Sequence, residues 1–204
     1  MLWKVILIWS AISIFILSAT HDWSEVIFTV TFGFLYGGMV YHNSQKIGDF
    51  SESSGLKNFP VYIAVCLLVS VVEELYVYSL GNRIAVPIIW KDLVIVPGEW
   101  LVWFAAWYLI IARKFAFSYG EVLFLSGFGG IMFEFLGNGL AITNIVGFII
   151  TFPLTIVVYA AIFILPMQFI NFSGQSHSFW KYPASIIIPY VLTIPVTILL
   201  YALV

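Results

Sequence analysis

Charge is what this sequence has least of. Lys, Arg, Asp and Glu make up 9% of its 204 residues, against 62% hydrophobic. A soluble globular domain carries about a quarter charged residues, so the scarcity excludes a water-soluble fold. The eight Lys and Arg form no cluster, and a net charge of −2 offers nothing to nucleic acid. A single cysteine, Cys66, excludes an internal disulfide. Its apolar setting reads as packing. No G-x-S-x-G elbow, P-loop or dinucleotide fingerprint occurs. Zinc prefers His or Cys ligands, and His21, His42 and His177 all fall in stretches that read as loops.

What is present is hydrocarbon in runs of the right length. Seven apolar segments are read, at 2–20, 24–41, 59–80, 93–112, 117–136, 142–170 and 183–204. A membrane-spanning helix needs about 20 apolar residues, and these runs lack the period-two alternation of a barrel. The fold class is therefore all-α, a polytopic transmembrane helix bundle of about seven spans (six to eight) in a single domain, 1–204. No clean small-residue cleavage site follows the first run, which reads as a retained helix. The sixth run is long enough to tilt or to bend at Pro153, and Pro189 and Pro195 are expected to kink the seventh. The 43–58 stretch, rich in Ser, Gly and Asn, reads as a flexible surface loop. The 84–90 stretch is apolar but too short to span, and fits an interfacial or re-entrant piece. No internal repeat of the transporter kind is evident.

With the N-terminus in the cytoplasm, Lys4, Lys46, Lys57, Arg113, Lys114 and Lys181 fall inside and only Arg83 and Lys91 outside. That bias predicts N-inside, C-outside.

Against this apolar ground stand four glutamates within spans, Glu73, Glu74, Glu99 and Glu134, with no Lys, Arg or His inside any span apart from Lys4 at the start of the first. A charge at mid-bilayer costs about 2.5–3.5 kcal/mol on insertion scales. The four are thus expected to face the bundle interior or a water-filled cavity. Depth brings them together. Glu73 lies about 15 Å before Arg83 at helical rise, and Glu99 about 9 Å into the fourth run, which goes the other way. Glu134 sits near the far end of the fifth. All four fall in the same half of the bilayer whichever way the chain is inserted.

Helical faces add neighbours. Gly127, Gly130, Glu134 and Asn138 follow at three- and four-residue steps, with small residues that admit a close helix. Adjacent glutamates point about 100° apart, so one of the 73/74 pair is expected to face the cavity while the other braces it. Glu99 follows a Pro-Gly break, where freed backbone groups often line a cavity. Gly33 and Gly37 form a GxxxG helix-packing pair. Glu121, Asp22 and Glu25 read as interfacial charges.

Such acids suit general acid or base work. In that reading Glu73 activates a water, Glu74 positions it, Glu134 and Asn138 stabilise developing charge, and Glu99 completes the cluster. Tyr78, Trp103 and Trp107 contribute to an aromatic wall for a lipid-like, prenyl or membrane-peptide substrate. The alternative is a proton- or cation-coupled transporter or channel using the same acids. No cofactor is required, although a cation bound through oxygen ligands fits the glutamates and Asn138. The partners expected are membrane lipids, and a second copy through the small-residue faces.

The 73–80 segment, EELYVYSL, resembles the first motif of the CAAX prenyl-protease and bacteriocin-processing membrane family, which carries two adjacent glutamates in a span. Tyr78 stands where that family has an arginine. Glu134-x-x-x-Asn138 has the spacing of one of its later motifs, with Glu in place of His, and Trp103 to Trp107 the spacing of another. The resemblance implies a membrane-embedded hydrolase with Glu73 and Glu74 at its centre. Carotenoid cyclases also carry paired acids in a span.

Overall fold

The computed structural model describes residues 2–82, 86–137 and 143–204, without the side chains of 134 and 136. Among these, seven helical rods succeed one another and no strand forms beyond one isolated bridge, Phe115 to Ser176. Six of the rods are long and apolar enough to cross a membrane, which defines an all-α, multi-pass membrane bundle.

The rods are α1 Leu2–Ala19, α2 Trp23–Ser53, α3 Phe59–Ser79, α4 Ile89–Lys114, α5 Tyr119–Ile131, α6 Ile145–Phe169 and α7 Lys181–Leu203. A wide π-helical turn, Met132–Gly137, continues α5. Two more π segments, Thr29–Tyr36 and Trp107–Ile111, lie within α2 and α4. Each rod returns antiparallel to the one before it, and cross-links between ends confirm this. Trp3 Nε1 donates to Gly120 O at 3.2 Å and Gln168 Nε2 to Tyr119 OH at 3.0 Å at one end. Thr197 Oγ1 bonds Glu99, and Lys91 Nζ reaches Val204 O, at the other.

Two expectations need correcting. The 43–58 stretch is not a loop throughout, because α2 continues helically to Ser53. Val40, Ser44, Ile47 and Ser51 recur at steps of four, three and four, so they share a helical face. Val40 and Ser51 are buried, and Ser51 Oγ donates to Gln168 O at 2.7 Å. The polar composition belongs to the other faces, and it hid this one. His42 consequently sits on a helix rather than in a loop. The turn comes later, at Gly55 with φ +65°, and the Asn58 side chain caps α3 by accepting from Val61 N–H at 3.1 Å. In the 84–90 stretch, Ile89 and Trp90 open α4. Its residues 84 and 85, like Arg83, lie outside the described residues.

The core gathers around α6. A methyl group at Gly33 would meet Val157 Cγ1 at 3.0 Å, and one at Gly37 would meet Ala161 Cβ at 3.0 Å. Both glycines let α2 approach α6 this closely. On α5, a side chain at Gly127 would collide with the Ile156 backbone carbonyl, and one at Gly130 with the Tyr159 ring. The small-residue faces are therefore filled within the chain. Helices α6 and α7 run through Pro153, Pro189 and Pro195 without interruption.

Charge divides by end. Six of the eight Lys and Arg sit at the end where α1 begins, and seven of the ten Asp and Glu occupy the opposite half. At the first end Ser118 and Glu121 form a reciprocal capping box on α5, and Lys181 pairs with Glu121 at 2.7 Å. Tyr182 OH also donates to Glu121, at 2.7 Å.

Candidate functional site

The acidic half is hollow. A cavity of about 1220 Å³ opens there, and five carboxylates line it: Asp22, Glu25, Glu73, Glu74 and Glu99. They come from three rods. Because α2 starts, α3 ends and α4 starts at this end, the antiparallel order alone carries their acids to one level.

Glu73 and Glu74 lie a turn and a half before the end of α3 and are 7% and 8% exposed. Both line the cavity. At 100° per residue two neighbours share a wall only when the void is wide enough to subtend both directions. Glu99 follows Pro97 and Gly98 inside α4, and Thr197 Oγ1 of α7 donates to its Oε1 at 2.7 Å. Gly98 lets α7 come near, since a Cβ there would stand 2.7 Å from Leu200 Cδ1. Asp22 and Glu25 sit at the start of α2, where the helix dipole favours negative charge. Two turns before Glu99, Asp92 is fully buried and accepts from Val86 N–H at 2.8 Å.

Threonines supply the neutral polar wall. Thr151 and Thr155 on α6 donate to carbonyls of their own helix, Gly147 O at 2.8 Å and Thr151 O at 3.1 Å. Thr193 on α7 does the same to Pro189 O at 2.9 Å. Thr197 departs from this habit by bonding a carboxylate on another helix. The inner wall is aromatic. Trp100 stacks near Tyr159 (centroids 5.2 Å) and Phe133 (5.6 Å), and Phe133 meets Tyr190 at 5.6 Å. Beyond that layer the interior is solid: Trp103, Phe104 and Trp107 are 0% exposed, and Trp107 packs on Phe163 at 5.2 Å.

The structure thus brings together Glu73, Glu74 and Glu99. It places the backbone of Glu134 in the π turn between Phe133 and Phe135, both of which line the cavity. The Glu134 side chain and Asn138 lie outside the described residues. Tyr78 is half exposed on the outside of α3, and Trp103 and Trp107 are core residues. None of these three lines the cavity, where the indole is that of Trp100. The buried Trp103 and Trp107 N–H groups find no hydrogen-bond partner among the described residues. Packing against Gly129 and Phe163 fixes them instead.

Asp22 and Glu25, read from sequence as interfacial charges, belong to the cavity rim. Their position in the same half of the bilayer was the available signal. The threonines had one too: each pair, 151/155 and 193/197, is spaced by four in an otherwise apolar helix, which puts both members on one face. Among the described residues no three His, Cys, Asp or Glu converge tightly enough to hold a metal ion. No family model, curated protein or solved structure matches the chain.

Proposed function

We propose that the chain is a membrane-embedded enzyme acting on a lipid-like, prenyl or membrane-peptide substrate, with Glu73 and Glu74 as its acid–base pair. The observation that carries this reading is the shape of the void. Carboxylates from three helices face a single chamber whose inner wall is aromatic and whose far side is closed by packed indole and phenyl rings. In such a chamber a carboxylate is only partly solvated, which suits it to accept and return a proton. Glu73 activates a water or withdraws a proton, Glu74 holds the reacting group, and Glu99, fixed by Thr197, binds a polar substituent. The partial resemblance of 73–80 to the prenyl-protease motif supports the same assignment.

Proton- or cation-coupled transport is the second reading. Five carboxylates in one cavity favour it, whereas the closed aromatic half stands in the path such transport requires. The distribution of Lys and Arg supports a cytoplasmic N-terminus and a cavity facing the other compartment.

The test compares lipid extracts of cells making the wild type, Glu73→Gln and Glu74→Gln, each checked for membrane insertion. A lipid species depleted by the wild type and spared by both variants is the expected result. Identical extracts overturn the catalytic assignment. Proton flux through wild-type proteoliposomes that is lost in the same variants selects the transport reading.

A further inference from the structure

On one helix the cavity wall and the outer surface are the same residues. Ile194, Ile198 and Tyr201 of α7 line the cavity, yet they are 45%, 66% and 52% exposed. They follow at steps of four and three, so they form one stripe along α7. The stripe is about 10 Å long at helical rise. A residue that both bounds a void and is open on its outer side marks a gap in the wall. Val191, Leu192 and Leu199 beside the stripe are also exposed and apolar. α7 carries the smallest share of buried residues of the six long rods. In a bilayer this surface faces acyl chains.

We propose that the stripe is a side window through which an amphiphile reaches the chamber from within the bilayer, its tail remaining in lipid and its head passing inward. Its head is a hydrogen-bond donor, a hydroxyl or an amine, and not an anion. This deepens the enzyme reading and rests on it for the identity of the chamber as a substrate site.

Two observations set that head chemistry. Thr197, next to Ile198 on the same helix, lines the cavity and donates to Glu99, which lines it too. Glu99 is an acceptor, so an arriving hydroxyl or ammonium can replace or join the Thr197 donor. The remaining four acids of the chamber raise the cost of bringing in a phosphate or carboxylate, because like charges in a poorly solvated space repel strongly. The aromatic wall has no such objection to a cationic head, which its ring faces attract. The tail needs only an apolar edge, and the isoleucines of the stripe supply one.

The test uses the full chain in lipid nanodiscs with photoreactive hexadecanol, hexadecylamine and hexadecanoate, each carrying its diazirine next to the head, and a butylamine analogue. The alcohol and the long amine should label the chamber walls of α4 and α7. The carboxylate should label at least tenfold more weakly, about 1.4 kcal/mol in binding, and butylamine should label only at background. Ile198→Trp, a change at an exposed position, should cut labelling by the two long probes severalfold, while Leu68→Trp, at an exposed position of α3 away from the cavity, leaves it intact and both variants keep the wild-type melting temperature. Equal labelling by the carboxylate overturns the head assignment, and labelling unaffected by Ile198→Trp overturns the window. The readout is binding, so it separates from the parent reading: strong labelling of a protein whose lipid extracts match those of Glu73→Gln refutes the enzyme and keeps the window.

Discussion

The two halves of this bundle are made from the same seven rods and solve opposite problems. In the half where α1 begins, rings fill the space, with Trp103, Phe104, Trp107 and Phe163 essentially sealed from the surface. Some of the charges there are paired or capped: Lys181 with Glu121, Lys57 with Glu52 at 2.8 Å, and Glu121 with the Ser118 N–H at 2.7 Å. In the other half the same helices diverge around a void of about 1220 Å³, and the polar groups are acids and threonines. Lipid supplies no hydrophobic drive for helices to associate, so cohesion comes from close packing and hydrogen bonds. The solid half provides both and can hold the bundle together. That frees the hollow half to keep groups whose burial a stability argument alone would reject. The division is the reason the acids are tolerated.

If this comparison is right, the largest effects of mutation lie in the solid half and at the contacts that align it. Gly127→Leu drives a branched side chain into the Ile156 carbonyl, a backbone group that cannot step aside. Overpacking usually costs about 1–3 kcal/mol, and here the whole α5–α6 contact must separate. No monodisperse protein should be recovered by size-exclusion chromatography in detergent. Next in size is a matched pair. Trp107→Ala empties a sealed site and should lose about 3–5 kcal/mol, read as a fall in melting temperature. Trp100→Ala removes a ring already bordering a void, so fewer contacts disappear, and the loss should be about half as large. Equal losses would mean that the void is filled by side chains and that the halves do not differ.

The electrostatic version of the comparison is smaller. Lys181 is buried among Phe117, Tyr182 and the Ala116 carbonyl, to which its ammonium donates at 3.1 Å. Lys181→Ala leaves Glu121 without its cation, although the Ser118 and Tyr182 donors remain. A fully buried broken pair costs about 3–5 kcal/mol, but the Glu121 side chain is a quarter exposed, so water returns part of this. A loss of about 1–3 kcal/mol is expected. Glu74→Gln, in the hollow half, should change the melting temperature by less than Lys181→Ala does. The reverse order would assign the acids a structural role.

Much of this architecture is legible in the sequence. Seven apolar runs give the helices to within a few residues at most ends, because continuous hydrocarbon of fixed length is a strong signal. That the acids share one half follows from counting residues along alternating spans. The extension of α2 through 43–53 is harder to see, since its buried face is only Val40, Ser44, Ile47 and Ser51 amid a polar majority. Trp103 and Trp107 mislead for the opposite reason. Aromatic residues one and two turns after Glu99 look like a substrate wall, but which ring lines a void depends on helix rotation. Residues three apart, such as Trp100 and Trp103, point about 60° apart, and packing sets which of them turns inward, with Trp103 against Gly129 of α5 and Trp100 toward the chamber. The proposed side window has no mark in the sequence, because Ile194 and Ile198 look like any lipid-facing pair.

The smallest effect isolates the polar wall itself. Thr193 and Thr197 lie one turn apart on α7 and both line the cavity, but Thr193 bonds its own helix and Thr197 bonds Glu99. Valine matches threonine in shape, so replacing either one removes a hydrogen bond with almost no change in packing. Thr193→Val deprives a helix carbonyl of a second partner and should cost a few tenths of a kcal/mol. Thr197→Val takes a donor from a carboxylate, where a single hydrogen bond is worth about 1.5 kcal/mol or more when buried. Glu99 borders a chamber wide enough for water, so the loss in stability should stay near or below about 1 kcal/mol. The two variants should therefore melt almost together and differ in activity. In the enzyme reading proposed above, Glu99 without Thr197 is no longer held in place, and conversion of a lipid substrate should fall with Thr197→Val but not with Thr193→Val. If both valines lower conversion equally, the wall matters only as a polar surface and the Glu99 bond positions nothing.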